Sequence, residues 1–406
     1  MNNKKIPLRL VIYRPHTHVW FKRSIQHLLI GRHYPAKYEP LLDWMLKSDI
    51  KISFSTTLVR SEGLKGLILY ILNPIALLIW TFANNISINR VNFVFTKKQL
   101  LDNDVLFFMH YGNFTNEHIE TAKYGRTLAE NLKDFKIFKL GHMTHYQYNS
   151  KIGSDNLSTL KPDLLIAENN LQRNSKYFNY HFSNITLSFE CLPYVASDRF
   201  HSIKPFTERL NKLIATGTLT YKIKDQNFED FFHTDELQPF RRVLYNNAHF
   251  YPKQIDSIIS DLNAERQKDE NIKVGLFGKL RKFLSKPQKD YYKKDLLDIY
   301  NSYMMFTVTE EISDLPAIGF VEGMACGCVF IGLENVMYTD LGLIPGVHYV
   351  TYDGSFDDFI SKVRFYQRPE NISKLEIIAE NGNNFVNKNF RADHVYSNFF
   401  NKIIKQ

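Results

Sequence analysis

The stretch Glu311–Phe330, EISDLPAIGFVEGMACGCVF, combines residue types that suit a phosphate and a ribose. A strand ends, a polar turn with a proline follows, and a helix begins near Ala317. The unpaired amides at the start of a helix favour an anion. An anion there would contact the residues that open this helix: Pro316, Ala317, Ile318 and Gly319. Glu322 comes about one turn later and could accept hydrogen bonds from two ribose hydroxyls. The pattern predicts nucleotide binding; the alternative is an ordinary strand–helix–strand unit.

Two further glycine turns follow predicted strands in the second half of the chain. Gly217-Thr218 comes after KLIA, and Gly278-Lys279 comes after KVGLF. Such turns at the end of a strand are suitable contacts for a phosphate or a base. Three basic side chains could neutralise the phosphate: Lys222, Lys279 and Arg281. The run GKLRKFLSKPQK has a second interpretation, a solvated or membrane-touching loop.

In the first half, the stretch HYGNFTNE begins at His110, directly after the predicted strand VLFFM. His110, Gly112 and Asn113 could contact an acceptor or a transferred sugar; the alternative is a turn that caps the next helix. His145, in GHMTHY, also ends a strand and is a further candidate acceptor contact. With His142 it forms His-x-x-His, but no third ligand is evident, so we expect no metal there.

Carboxylates that could take part in group transfer occur in two places. Glu168 ends the apolar strand of DLLIAENN and would project beyond the sheet. Asp230 and Asp235 lie in FEDFFHTDELQPFRR, close to Arg241 and Arg242. A retaining transfer through a covalent intermediate needs one ionised carboxylate as nucleophile and a second group that handles a proton. Either arginine could bind the carboxylate of an anionic sugar through both of its oxygens. The alternative for each acid is a solvated helix face.

Short apolar runs alternate with amphipathic stretches along the chain, which predicts parallel sheets covered by helices on both faces. The first series of strands reads LRLVIY, KISFST, NRVNFVF, VLFFMH, FKIFKLG and DLLIAE; the second begins near Lys212 with LNKLIATGTLTYK and NIKVGLFGKL. We therefore predict an α/β protein with two Rossmann-like, doubly wound domains facing across a cleft, the GT-B plan. The predicted division is an acceptor-binding domain, 1–200, and a nucleotide-sugar-binding domain, 201–406, whose last helix could cross back. The polar segment Ser197–Asn211 is the predicted linker.

Composition limits the class of protein and its partners. The 406 residues carry a net charge of +9, and 44% are hydrophobic, which is typical of globular domains rather than disordered chains. Three cysteines are too few to staple a fold of this size, so we expect a reducing compartment. The basic N-terminus reads as a strand rather than a secretory signal. Without a nucleic-acid-binding motif, the positive charge favours an anionic membrane or anionic small molecules.

The segment from Gly63 to Asn85, GLKGLILYILNPIALLIWTFANN, is apolar over about one membrane-spanning length. Asn73 and Pro74 interrupt it near its centre, which disfavours a true span. A buried helical hairpin or a helix lying in the membrane interface are the other interpretations, and Arg60 and Lys65 would favour anionic headgroups.

Several of these stretches resemble known families. EGMACG resembles the Glu-Ala-Met-Ala-x-Gly signature of GT-B glycosyltransferases, with Gly323 where alanine is commoner. A more specific resemblance, to the N-terminal β-Kdo transferase domain of WbbB-type O-antigen enzymes, rests on the strings WFKRSIQHLLIGRHYPAKYEPLLDWML, FFMHYGNFTNE, LGHMTHY, KPDLLIAENNL, ATGTLTYK and DELQPFRRVLY. Kdo is 3-deoxy-D-manno-oct-2-ulosonic acid.

That resemblance implies a retaining transfer of Kdo from CMP-β-Kdo to a glycan or lipid-linked glycan in cell-surface polysaccharide synthesis, through a covalent adduct on an aspartate. By the same likeness Asp235 is the first candidate nucleophile, Asp230 the second, and Glu168 the acid/base or orienting partner. It implies no cofactor or metal, and a cytoplasmic chain with peripheral contact at the inner membrane. The alternatives are a GT-B enzyme that uses a UDP- or GDP-hexose, and a non-catalytic membrane-associated scaffold.

Overall fold

The computed structural model describes residues 9–13, 39–55, 71, 75, 78–79, 81–82, 86–87, 91–109, 113–115, 119–185, 188–219, 222–261 and 294–405. The chain forms two compact units. The first consists of Met1–Leu192, Ile223–His233 and Phe399–Gln406, and the second of Pro193–Lys222 and Thr234–Asn398. Each unit is therefore assembled from separate pieces of the chain.

The first unit is built on a seven-stranded parallel sheet. Its strands are β1 (Arg9–Tyr13), β2 (Lys51–Ser55), β3 (Val91–Phe93), β4 (Asp104–Phe108), β5 (Phe138–His142), β6 (Leu164–Ala167) and β7 (Ser188–Cys191). They lie in the order β3-β2-β1-β4-β5-β6-β7. The apolar runs predicted as strands are buried here, as expected for a parallel sheet covered on both faces. The strand order reverses between β1 and β4, where such folds bind ligands.

Helices of the first unit connect these strands: Glu39–Lys47, Ile119–Leu132, Ser150–Leu160, Leu171–Asn174, Lys176–Phe182 and, from later in the chain, Gln226–Phe232. Three of them begin at a residue whose side chain accepts from a helix amide: Asn170, Ser175 and Asp225. The ring of Tyr177 lies 5.6 Å from that of Phe228, so aromatic contacts join the later helix to the unit.

The second unit is built on a five-stranded parallel sheet with a separate two-stranded pair. Its strands are β8 (Leu210–Ala215), β9 (Thr218–Leu219), β10 (Ile255–Ser257), β11 (Ser260–Asp261), β12 (Tyr303–Thr307), β13 (Val329–Leu333) and β14 (Val350–Tyr352). The main sheet has the order β10-β8-β12-β13-β14, and β9 pairs with β11. The order reverses between β8 and β12, which places the ligand-binding edge of this sheet at the residues that follow those two strands.

The helices of the second unit are Pro239–Asn247, Leu296–Ser302, Gly319–Ala325, Val336–Asp340, Phe356–Tyr366, Ile372–Asn389 and the first part of Ala392–Lys405. The segment 197–209 has no strand or helix except the 3-10 turn Phe206–Glu208. Its start is fixed within this unit, since the Arg391 guanidinium donates to the carbonyls of Ser197 (3.0 Å) and Phe200 (2.9 Å).

The predicted α/β class with two wound parallel sheets is confirmed. All six strands predicted in the first half are present, but β7, β10 and the β9–β11 pair were not predicted. The helix predicted to begin near Ala317 begins at Gly319. The predicted strand in NIKVGLFGKL lies outside the described residues.

Candidate active site

Gly217 and Thr218 lie just after β8, separated from it by Thr216, at the edge where the strand order of the second sheet reverses. Gly217 has a φ of +130°, which side chains rarely adopt. A Cβ at this position would lie 2.7 Å from Cζ of Arg241. The glycine is therefore required by both its backbone conformation and the guanidinium packed against it.

Arg241 is buried, with 4% of its surface exposed. Its Nε donates to Thr309 Oγ1 (3.2 Å) and its Nη2 to the Thr309 carbonyl (2.9 Å). Its Nη1 donates to the Thr218 carbonyl (3.1 Å) and to Gln238 Oε1 (2.6 Å). The side chain thus braces the turn after β8 against the residues after β12. Its predicted contact with a sugar carboxylate stays a prediction.

The turn after β12 is held by its own backbone and by Glu310. The Glu311 amide donates to the Leu315 carbonyl (2.9 Å), and Asp314 has a φ of +64°. Glu310 Oε1 accepts from the Leu333 amide (2.9 Å) and from the Tyr338 hydroxyl (2.8 Å). Burial raises the pKa of Glu310. Pro316 is buried, whereas Ala317 and Ile318 are partly exposed.

Glu322 lies in the middle of helix Gly319–Ala325 and is partly exposed. Burial of its carboxyl raises the pKa of Glu322 to about 7, and Arg199 opposes this shift. The next residue explains a departure from the common signature. A Cβ on Gly323 would lie 2.4 Å from Cζ of Phe306, so the ring of Phe306 occupies the space that an alanine methyl would fill.

Lys222 and Asp235 form an ion pair, with 2.8 Å between Nζ and Oδ2. Both are exposed, at 46% and 42% of their side-chain surface. The hydrogen bond to Asp235 raises the pKa of Lys222. Residues 222 and 236 also form an antiparallel bridge. The predicted nucleophile is therefore a carboxylate with a cationic partner and access to solvent.

Asp230 lies on helix Gln226–Phe232, which belongs to the first unit. It is exposed and accepts a hydrogen bond from Gln226 Nε2 at 2.7 Å. That contact is a local pair within one helix, and among the described residues no cation pairs with this carboxylate.

Glu168 directly follows β6 and is 2% exposed. Thr144 Oγ1 donates to Glu168 Oε1, and His142 Nε2 lies 3.3 Å from the same oxygen. His142 Nδ1 lies 3.2 Å from the Met109 carbonyl. The carboxyl edge of the first sheet thus brings the predicted acid/base together with an imidazole and a hydroxyl.

Asn113 is buried, and neither polar atom of its amide has a hydrogen-bond partner among the described residues. A buried amide with unmet hydrogen-bonding capacity can bind a polar ligand without first breaking a protein contact. His145 has a φ of +54°, and its ring lies 6.2 Å from that of Tyr148. Four predicted site residues lie outside the described ones: His110, Gly112, Lys279 and Arg281.

Asp102 and Asp104 have the Asp-x-Asp spacing that can bind a metal where it ends a strand, but here they come at the start of a strand. Asp102 lies in a turn that leads into β4, and Asp104 is buried, accepting hydrogen bonds from Arg9 Nε (2.7 Å) and the Leu101 amide (2.7 Å). Among the described residues, no group of three or more His, Cys, Asp or Glu side chains could hold a metal.

No helix within the described residues combines the length and apolar character that crossing a membrane requires.

Solved structures with a similar fold are known. The similarity to Anabaena HepE in complex with UDP-glucose covers 98% of this chain and 100% of the HepE chain, with a TM-score of 0.53 and 12% sequence identity. The fold is GT-B. A second GT-B structure, the sucrose-phosphate synthase of Thermosynechococcus elongatus, is similar over 98% of this chain and 99% of its own, with a TM-score of 0.51 and 12% identity.

At these identities the GT-B structures establish the fold alone. HepE in complex with UDP and glucose gives the same result, with a TM-score of 0.52 and 11% identity over 97% of this chain and 98% of its own. No protein-family model matches the chain, and no curated protein matches it.

Sequence reasoning missed the groups that hold the predicted site residues in place. Thr309 and Gln238 fix Arg241, and Thr144 contacts Glu168. For Thr144 a signal was present, because it follows β5, the sheet neighbour of β6. For Gln238 the sequence contains no such signal, since its role depends on where Arg241 lies in space.

Proposed function

We propose that this chain is a glycosyltransferase that moves a sugar from a nucleotide donor to a glycan acceptor. The observation that carries the proposal is the strand–turn–helix after β12, with Glu322 beside the edge where the second sheet reverses its strand order. Ligands of doubly wound sheets bind at this edge. A carboxylate on this partly exposed residue suits the two neighbouring hydroxyls of a ribose.

The compared structures support a nucleotide-sugar donor. HepE was solved with UDP-glucose and with UDP and glucose. These ligands are those of HepE, and they make a UDP-hexose the alternative donor for this chain.

For the donor itself we propose CMP-β-Kdo, on the resemblance of the six strings quoted above. In this scheme Asp235 is the first candidate nucleophile, Asp230 the second, and Glu168 handles the proton. Glu168 is the carboxylate with an imidazole and a hydroxyl around it, which suits proton transfer. The exposed Asp235, paired with a cation, suits a carboxylate that must stay ionised to act as a nucleophile.

The test is a donor panel. Purified protein is incubated with CMP-Kdo, UDP-glucose or a GDP-hexose and a glycan acceptor, and the products are read by mass spectrometry. We expect a mass gain of one Kdo residue with CMP-Kdo only. Transfer from a UDP- or GDP-sugar instead would exclude Kdo as the transferred sugar but support the assignment as a glycosyltransferase. If the protein consumes none of these donors, a non-catalytic scaffold is favoured.

Asp235→Asn and Asp230→Asn are compared in the same assay, and full turnover by Asp235→Asn would exclude Asp235 as the nucleophile.

Nucleotide affinity tests Glu322 separately. Because its raised pKa keeps the carboxyl partly protonated at neutral pH, the nucleotide Kd should fall by about tenfold between pH 6 and pH 8. Glu322→Gln should remove that pH dependence, and a Kd indifferent to this substitution would exclude the carboxyl from the nucleotide site.

We also propose a cytoplasmic location with peripheral contact at an anionic membrane. The described residues of the Gly63–Asn85 segment include four large apolar side chains that are more than half exposed: Ile71, Ile75, Ile79 and Phe82. Together with a net charge of +9 they suit a surface of anionic lipid. In a flotation assay with vesicles that contain anionic lipid, the protein should float with the vesicles. Recovery of the protein in the bottom fraction alone would exclude peripheral membrane contact.

A further inference from the structure

A cleft of about 580 Å³ lies at the amino edge of the first sheet, where β5 and β6 begin. It is lined by the loop 133–137 that precedes β5, by Phe138 and Lys139 of that strand, and by Asp163, which directly precedes β6. Glu168, by contrast, follows β6 at the carboxyl edge. The cleft is therefore separate from the residues discussed for sugar transfer.

Lys139 is the buried cation of this cleft. It is 6% exposed, although a lysine is rarely buried without an ionic partner. Its backbone is held on both sides, because its amide donates to Asp163 Oδ2 (2.7 Å) and its carbonyl accepts from the Asp163 amide (2.9 Å). Its side-chain amine forms no hydrogen bond and no ion pair with any described residue. The strand thus holds an unpaired amine in a fixed place against the cleft.

The surroundings of this amine favour its neutral form. Burial lowers the pKa of Lys139, and the carboxylates of Asp163 and Asp134 oppose this shift only in part. Only the neutral amine has the lone pair that attacks an electrophile, so its share at neutral pH is larger here than for an ordinary lysine. Desolvated lysines in pockets are the ones that proteins use as nucleophiles.

The other side chains of the cleft suit a small anionic reagent with an apolar part. Lys136 is exposed and has no ion-pair partner among the described residues, so its ammonium group can bind a phosphate. Lys133, also exposed, pairs with Glu130 at 2.9 Å. Phe135 and Phe138 are partly exposed and provide apolar surface for an acyl group.

We propose that Lys139 is a modification site whose amine takes an acyl group from a small acyl phosphate that enters the cleft. The nitrogen lone pair forms a bond to the acyl carbon, and the bond from that carbon to the phosphate oxygen breaks. The electron pair leaves with the phosphate, which takes the proton that the nitrogen releases. The product is a neutral amide, and burying it costs less than burying an ammonium ion.

Acetylation of the full chain by acetyl phosphate tests the proposal. The purified protein is incubated with the reagent at neutral pH, and mass spectrometry of its peptides follows the acetylated fraction of each lysine over time. We expect Lys139 to react several-fold faster than Lys136, which lines the same cleft and meets the same reagent. Equal or slower reaction of Lys139 would overturn the proposal.

The unfolded protein is the control for the local sequence. In urea both lysines are solvated, so the preference for Lys139 over Lys136 should disappear. If the preference persists in urea, the neighbouring sequence and not the cleft causes it, and the proposal fails. None of these measurements uses a sugar donor, so their outcome is independent of the proposed function.

Asp134→Asn tests whether charge controls the reactivity of this amine. The substitution removes an exposed carboxylate that raises the pKa of Lys139, so Lys139 should be acetylated faster still. Asp298→Asn, at an exposed position of the other unit, is the matched control and should leave the rate unchanged. A rate that does not rise in Asp134→Asn would contradict the proposal.

Discussion

Glu168→Gln should lower the turnover of sugar transfer by about 10²- to 10⁴-fold, the usual contribution of a positioned acid or base. The substitution keeps the size and shape of a side chain that is 2% exposed, and the amide oxygen can still accept from Thr144. The protein should therefore fold and bind nucleotide as before. Steady-state kinetics with the donor identified by the panel, together with nucleotide affinity, measure the two effects separately.

The matched control is Glu190→Gln, in the next strand of the same sheet. Glu190 is half-exposed and pairs with Lys402 at 3.3 Å, so its charge is screened and its loss should change neither turnover nor affinity. Equal turnover in the two variants would show that Glu168 has no role in proton transfer and that its burial serves the fold alone.

Arg241→Met should destabilise the second unit by about 1–3 kcal/mol, the usual cost of leaving a buried hydrogen-bond acceptor unsatisfied. Methionine fills much of the volume but removes the donor to the buried carbonyl of Thr309 and to the part-buried carbonyl of Thr218. Urea unfolding followed by circular dichroism measures the change, since the three tryptophans, Trp20, Trp44 and Trp80, all belong to the first unit. Because the two units can unfold in separate steps, the change in unfolding free energy is taken from the urea transition whose midpoint the substitution changes.

The neighbouring Arg242→Met is the control. Arg242 pairs with Glu236 at 2.9 Å and with Asp261 at 3.1 Å, but 26% of its side chain is exposed. Its replacement should cost no more than about 1 kcal/mol. If both variants lose the same stability, the four hydrogen bonds of Arg241 contribute less than burial implies, and a ligand contact becomes its main role.

The strands were predictable because a parallel sheet buries both of its faces, so that runs such as LRLVIY and DLLIAE are apolar throughout. The position of Glu168 was predictable for the same reason, since a polar residue that ends such a run emerges at the edge of the sheet. The partners of Glu168 were harder to predict. Thr144 lies 24 residues away in sequence, and only the pairing of β5 with β6 brings the two together.

Two other features could not be predicted because they depend on packing in three dimensions. The bracing role of Arg241 requires the turn at Gly217 to adopt a conformation that leaves room for the guanidinium. The glycine at position 323 reads as a departure from a familiar signature until the ring of Phe306 is seen in the space of its missing methyl. In both cases the residue can be read from the sequence, but its structural role is visible only in the folded protein.

The order in which the chain visits its two units has a consequence for dissecting the protein. A fragment that ends at Leu192 would lose helix Gln226–Phe232, whose Phe228 packs on Tyr177. It would also lose Phe400, whose ring stacks on Trp44 at 5.2 Å. No single cut of the polypeptide separates one complete unit from the other. The pieces of the two units alternate along the chain, so the first unit is complete only after residues 399–406 have left the ribosome.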